Sequence, residues 1–87
     1  MIKPARVYVE CSVDNTRSKM TEDDLHAVAI NFASQVHGVI TDRLITDDDL
    51  WWRVVIDAYA EDKRLDRIAN QTIQQYPYVD IGWFDRD

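Results

Sequence analysis

The sequence predicts a single α+β domain whose elements follow the order βαββαβ. Segments 5–13, 50–59 and 78–85 alternate apolar and polar residues, as half-buried strands do. Segments 20–38 and 60–77 instead place apolar residues at helical spacing. The 87 residues include only two Gly and two Pro, which fits one domain, residues 1–87, without a linker.

The first strand, "ARVYVECSV", turns its apolar side chains to one face and its polar side chains to the other. The apolar set is Val7, Val9, Cys11 and Val13, and the opposite set is Arg6, Tyr8, Glu10 and Ser12. The polar run "DNTRSK", residues 14–19, then predicts a loop.

The segment "MTEDDLHAVAINFASQVHG" carries signals for both ends of a helix. Thr21 with Asp24 is a variant of the capping box, in which Glu or Gln is usual at the second position. Acids in the first turn suit the positive end of the helix dipole, and Gly38 suits the left-handed stop. The predicted buried stripe is Leu25, Val28, Ala29, Phe32 and Val36.

The middle of the chain predicts a hairpin. "VITDRLIT", residues 39–46, is a more exposed strand, "DDD" is a polar turn, and "LWWRVVIDAY" is rich in β-branched and aromatic residues. A second helix follows, with acids at its start and Pro77 at its end. Its predicted inner stripe is Leu65, Ile68, Ala69, Thr72, Ile73 and Tyr76. The last strand, "YVDIGWFD", alternates again.

This order, with helices segregated from an antiparallel sheet, is typical of the ferredoxin-like sandwich. In that layout the first and third strands are central, and both helices cover one face of the four-stranded sheet. We expect the covered face to take Val7, Val9, Cys11 and Val13, then Leu50, Trp52, Val54, Ile56 and Ala58, and finally Val79, Ile81 and Trp83.

The opposite, open face combines aromatic residues with arginines and acids, a composition typical of protein interfaces. The candidate partner-binding residues are Tyr8, Trp51, Arg53, Val55, Tyr59, Tyr78 and Phe84. Three interpretations stay open: a solvated sheet with cross-strand pairs, a face that binds a second copy, and a face that binds a foreign partner or ligand.

Other kinds of chemistry are disfavoured. Single-stranded RNA readers of this layout carry a pattern of a basic residue, Gly and two aromatics that "LWWRVVIDAY" lacks. The two histidines lie too far apart on one helix to share a metal, and the "DDD" run lacks the spaced ligands of a calcium loop. Cys11 should be an inert packed thiol. We therefore expect no cofactor, no metal and no direct nucleic-acid or membrane partner.

Glu10 and Asp57 share the open face and could form a catalytic carboxylate pair, but Arg6 and Arg53 on the same face could neutralise them. No nucleophile–base arrangement is evident, so an enzyme is disfavoured. The single cysteine fits a reducing cytoplasm, and the apolar segments are too short to span a membrane.

The net charge of −6 permits binding to a basic partner surface, and it equally fits a charge that serves only solubility. The candidate acidic patch is Glu22, Asp23, Asp24, Asp47, Asp48 and Asp49. The first functional hypothesis is a small acidic protein-interaction module without enzymatic activity, in its extreme form an inhibitor that mimics DNA, as phage proteins do. The alternative is a dimeric ligand-binding or regulatory domain.

Overall fold

The computed structural model describes residues 2–14 and 20–86, so most of the predicted loop lies outside the described residues. The elements occur in the predicted order: β1 (Lys3–Ser12), α1 (Glu22–Gln35), β2 (Val39–Ile45), β3 (Trp51–Ala60), α2 (Asp62–Gln75) and β4 (Val79–Asp85). The sheet has the strand order β2-β3-β1-β4, and each neighbouring pair is antiparallel. The ferredoxin-like α+β fold is therefore confirmed, with β1 and β3 in the centre.

The core lies between the two helices and one face of the sheet. It contains the predicted stripe of α1, most of the stripe of α2, and the alternate residues of β1 and β3 from Ala5 and Val54 onward. Ile73 and Tyr76 of α2 are only half-buried. No described helix is both long and apolar enough to cross a membrane.

The predicted core is too large at its edges. Leu50 is wrong as a core residue, since its side chain is 58% exposed. It precedes the first residue of β3 and lies in the hairpin turn, where its carbonyl oxygen accepts from the Val13 amide and its own amide donates to Asp48. Trp52, Ile81 and Trp83 do face the helices, but they pack against the rim of the core and stay partly exposed.

The capping box of α1 is confirmed. The Asp24 amide donates to Thr21 Oγ1 at 3.2 Å, and the Thr21 amide donates to Asp24 Oδ2 at 3.0 Å.

The predicted stop at Gly38 is wrong, because His37 takes the left-handed conformation with φ 49°. Gly38 is needed for space instead. A Cβ there would lie 2.6 Å from Ile56 Cγ2, so the small residue lets the chain pass close to β3.

Candidate functional site: the open sheet face

We use "open sheet face" for the side of the sheet opposite the helices. The register of β1 and β3 arranges its centre in three rows: Glu10 beside Arg53, Tyr8 beside Val55, and Arg6 beside Asp57. The edge strands extend these rows with Leu44, Asp42 and Val39 from β2 and with Asp80, Gly82 and Phe84 from β4. The candidate residues on the strands therefore share one surface, as the alternation predicts.

Ion pairs occupy the two outer rows of this centre. Arg53 Nη2 lies 3.1 Å from Glu10 Oε2, and Arg6 Nε lies 3.2 Å from Asp57 Oδ1. Arg86, from the segment after β4, adds a contact of 2.6 Å between its Nη1 and Asp57 Oδ2. Both carboxylates are thus paired with arginine, as one of the two sequence interpretations predicts.

The aromatic residues are joined to these charges. Tyr8 and Phe84 make an edge-to-face contact with ring centroids 5.5 Å apart. The Arg53 guanidinium lies 4.4 Å from the centroid of Tyr8, and the Arg86 guanidinium lies 5.6 Å from the centroid of Tyr59. Such cation–π contacts are each worth about 0.5–1 kcal/mol at exposed sites, so the rings and charges of the face are joined by favourable contacts.

The exposure of the candidate residues varies widely. Val55 is only 8% exposed, although no helix covers its face. In contrast, Tyr59, Tyr78 and Phe84 are about half exposed, with values of 52%, 51% and 48%. Trp51 is half-buried. Tyr78 lies in the turn before β4, so its predicted place on the strand is wrong. On the open sheet face the exposed aromatic surface is at Tyr59 and Phe84, and Val55 belongs to the covered centre.

Trp51 lines a shallow cavity of about 320 Å³ at one end of the face, together with Arg53, Glu10 and Asp80. Two members of the adjoining turn, Thr46 and Asp48, complete its wall.

The six candidate acids fall into two groups on different elements, and several have structural roles. Arg43 of β2 lies 3.0 Å from Glu22 and 2.6 Å from Asp23. Asp24 belongs to the capping box. Sequence patterning does not reveal the role of Arg43, because its contacts with the start of α1 depend on how β2 and α1 come together in the fold.

The second group forms the turn between β2 and β3, as predicted. The Thr46 hydroxyl donates to Asp48 Oδ1 at 2.6 Å, and the Leu50 amide donates to the same oxygen at 3.0 Å. These bonds, the hydroxyl first, lower the pKa of Asp48. Asp49 takes a left-handed conformation with φ 59°. The three aspartates are exposed, so this part of the patch remains accessible to a partner.

The cysteine and the two histidines were the remaining candidates for reactive or metal-binding groups. Cys11 is buried, and burial, with a smaller contribution from the charge of Asp24, raises the pKa of its thiol to about 11. His26 Nδ1 lies 3.3 Å from Arg43 Nη1, while His37 is exposed. Among residues 2–14 and 20–86, no three His, Cys, Asp or Glu side chains gather as metal ligands.

A basic cavity of about 520 Å³ lies at the start of α2 and was not predicted. Its wall contains His37, Lys63, Arg64 and Arg67, together with one acid, Glu61. The remaining lining residues are Ile2, Ala60 and Tyr59, the last from the open sheet face. The signal in the sequence was the spacing of these basic residues along the first two turns of α2.

Comparison with known proteins supports the fold and gives no information on function. The sequence matches no protein-family model and no curated protein. Among solved structures, an uncharacterized protein from Thermotoga maritima is similar with a TM-score of 0.64 and 4% identity, over 100% of both chains. The C-terminal domain of the MgtC protein from Mycobacterium tuberculosis is similar with a TM-score of 0.56 and 16% identity, over 98% of this chain and 88% of that domain.

Proposed function

We propose that this protein is a non-enzymatic protein-interaction module and that the open sheet face is its contact surface. The observation that carries the proposal is that two half-exposed aromatics, Tyr59 and Phe84, lie on the same face as arginines that contact aromatic rings. Tyr, Trp and Arg are the residues that dominate binding energy at protein interfaces. A buried centre surrounded by accessible aromatics offers a rigid anchor that loses little side-chain entropy on binding.

The acids have a secondary role in this proposal. A net charge of −6 attracts a basic partner over a distance comparable to the Debye length. However, Glu22 and Asp23 are already paired with Arg43. Fewer carboxylates are therefore free to imitate the phosphates of DNA than the sequence suggests. An inhibitor that mimics DNA stays a prediction, which loss of partner binding in high salt would support.

A second candidate, a ligand-binding regulatory domain, is favoured by the basic cavity beside Tyr59. Lys63, Arg64 and Arg67 would suit an anionic small molecule. A rise in melting temperature with a phosphorylated or carboxylate metabolite, lost in Arg67→Ala, would support it. The proposal also includes a cytoplasmic location, which the buried, unpaired Cys11 supports.

Site-directed photo-crosslinking in producing cells tests the proposed contact surface. A benzophenone amino acid at position 84 places the probe at a half-exposed site on the open sheet face, and the matched control places it at Ile30, which is 52% exposed on α1. We expect a discrete protein adduct, either with another copy or with a foreign protein, from position 84 only. Equal crosslinking from both positions, or none from position 84, would contradict the proposal.

A further inference from the structure

We propose that the partner of the open sheet face is a second copy of this chain, packed face to face about a two-fold axis parallel to β1 and β3. This inference rests on the proposed function and names the partner for the same surface. The evidence is the pattern of charges, which is complementary to itself under this symmetry.

Four charges form a checkerboard around the centre of the sheet. Along β1, Arg6 is followed by Glu10, and along the antiparallel β3 the register places Asp57 beside Arg6 and Arg53 beside Glu10. Positive and negative side chains therefore alternate both along and across the two central strands. Because the strand order is β2-β3-β1-β4, the midline of the sheet runs through the middle of this checkerboard.

A two-fold axis along that midline exchanges β1 with β3 of the second copy, while each row stays at the same level. Arg6 then faces Asp57 of the second copy, and Glu10 faces Arg53 of the second copy. Every charge of the checkerboard meets an opposite charge, and each contact occurs twice by symmetry. The planar guanidinium has enough donors to bind a second carboxylate while it keeps its own.

The edge strands decide between two possible axes. An axis across the strands also matches the central charges and sets Val39 against Leu44, but it sets Asp42 against Asp42, which is unfavourable. Each axis leaves one apolar residue against Asp80, namely Phe84 about the axis across the strands and Leu44 about the axis along them. The axis along the strands instead sets Val39, 66% exposed, against Phe84, 48% exposed. It also sets Asp42 against Gly82, where nothing lies within 4 Å of an added Cβ. Apolar surface is covered and like charges stay apart.

Sheet packing allows this arrangement. Two sheets that pack face to face keep their strand directions within about 30° of each other. A rotation of that size moves the outer rows sideways by only about 4 Å at the strand spacings of a sheet, a distance that arginine side chains can span. The opposite charges therefore stay within reach of each other.

A charge-complementation experiment tests the proposal by sedimentation velocity. Arg6→Asp and Asp57→Arg each create like-charge contacts with a second copy of themselves, so we expect each to raise the dimer Kd roughly a hundredfold. In an equimolar mixture the two variants face each other with opposite charges, and we expect the Kd to return to within about tenfold of the wild-type value. Restored association also shows that both variants are folded.

Two controls separate this mechanism from a general effect of charge. Asp66→Arg makes the same change of residue type as Asp57→Arg, but on the exposed side of α2. It should leave the dimer intact. The double variant Arg6→Asp/Asp57→Arg exchanges the two charges of one row. In a dimer about the axis along the strands, opposite charges still face each other. In a dimer about the axis across the strands, like charges would face each other. We expect it to dimerise. If the Arg6 variants fail to fold, Glu10→Arg with Arg53→Glu repeats the test in the other row.

A wild-type protein that stays monomeric at high concentration, a mixture that does not associate, or a double variant that stays monomeric would overturn the inference. These outcomes differ from failure of the proposed function. If the protein is monomeric but crosslinks to a foreign protein from position 84, the open sheet face is still a contact surface. Only the proposal that the partner is a second copy is then wrong. If the protein is monomeric and gives no adduct from position 84, both the proposed contact surface and the proposed dimer are wrong.

Discussion

On the helix-covered face of the sheet, Val7, Val9 and Ile56 are fully removed from water. Their sequence neighbours Tyr8, Glu10 and Asp57 on the open sheet face remain partly exposed. The same two strands supply both faces, because successive side chains point in opposite directions. The covered face is stabilised by apolar burial against α1 and α2. The open face is ordered by ion pairs and ring contacts that join its side chains to each other.

The two faces differ in what contacts their side chains: the helices cover one face, and on the other the side chains contact each other. Val55 is nearly buried without a helix above it, and its cross-strand neighbour Tyr8 is held by Arg53 and Phe84. Surface ion pairs of this kind contribute little to stability, so their main effect is to fix side-chain positions. The covered face should therefore determine folding, and the open face should determine association.

The largest expected effect comes from truncating the same residue type on the two sides of the molecule. Phe32→Ala removes a fully buried ring and should lower the free energy of unfolding by about 3–5 kcal/mol. Phe84→Ala removes a half-exposed ring and one aromatic contact, which should cost about 1 kcal/mol. Urea unfolding of dilute protein measures both. Equal losses would refute the contrast between the faces.

The adjacent tryptophans sharpen the same contrast at smaller scale. Trp52 faces the helices but is only partly buried against the core, so Trp52→Ala should cost about 2 kcal/mol, less than a full core truncation. Trp51→Ala should change stability by less than about 1 kcal/mol, as expected away from the core, and should weaken association more. Thermal unfolding and sedimentation of both variants give the comparison. A larger stability loss for Trp51→Ala would reverse the assignment of faces.

The two glycines offer a matched pair of added methyl groups. Gly38→Ala brings a Cβ to 2.6 Å from Ile56 Cγ2, and this overpacking should cost about 1–2 kcal/mol. Gly82→Ala adds a Cβ with nothing within 4 Å and should be neutral or stabilise by a few tenths of a kcal/mol, roughly the gain from a less flexible unfolded chain. Differential scanning calorimetry distinguishes them, and a destabilised Gly82→Ala would show that the open face is not open there.

A further expected effect is a dependence on pH at the helix-covered face. Burial raises the pKa of the Cys11 thiol from 9.0 to about 11. The unfolded chain therefore loses this proton first, and the stabilising contribution, complete below pH 9, is lost as the pH rises towards 11. Urea unfolding of wild type and Cys11→Ala across this range should give curves that converge. Parallel curves would mean that the thiol is accessible to water.

Residue patterning was sufficient to predict the element order, the central strands, the capping box and the assignment of strand residues to faces. These features follow from local periodicity and from short-range hydrogen bonds that any chain with this pattern forms. The depth of burial was harder to predict. Leu50 and Trp52 continue the alternation of β3, but Leu50 lies in the turn before the strand and Trp52 packs only against the rim of the core.

Long-range contacts were the main omission. Arg43 meets the start of α1 across 20 residues of sequence, and Arg86 returns to Asp57 and Tyr59 from the end of the chain. The close approach of Gly38 to Ile56 likewise depends on how α1 packs on β3. Such contacts depend on tertiary geometry, so neither residue type nor spacing reveals them.

A dilution series followed by side-chain NMR tests the central claim, that the open sheet face carries association while the helix-covered face carries the fold. The probes are the Val55 methyl groups and the Tyr8 and Phe84 rings on one side, with Phe32 and the exposed Ile30 on the other. We expect the resonances of the first three to shift with protein concentration and those of the last two to stay constant. Shifts at Ile30, or no shift at any of the five, would contradict the account.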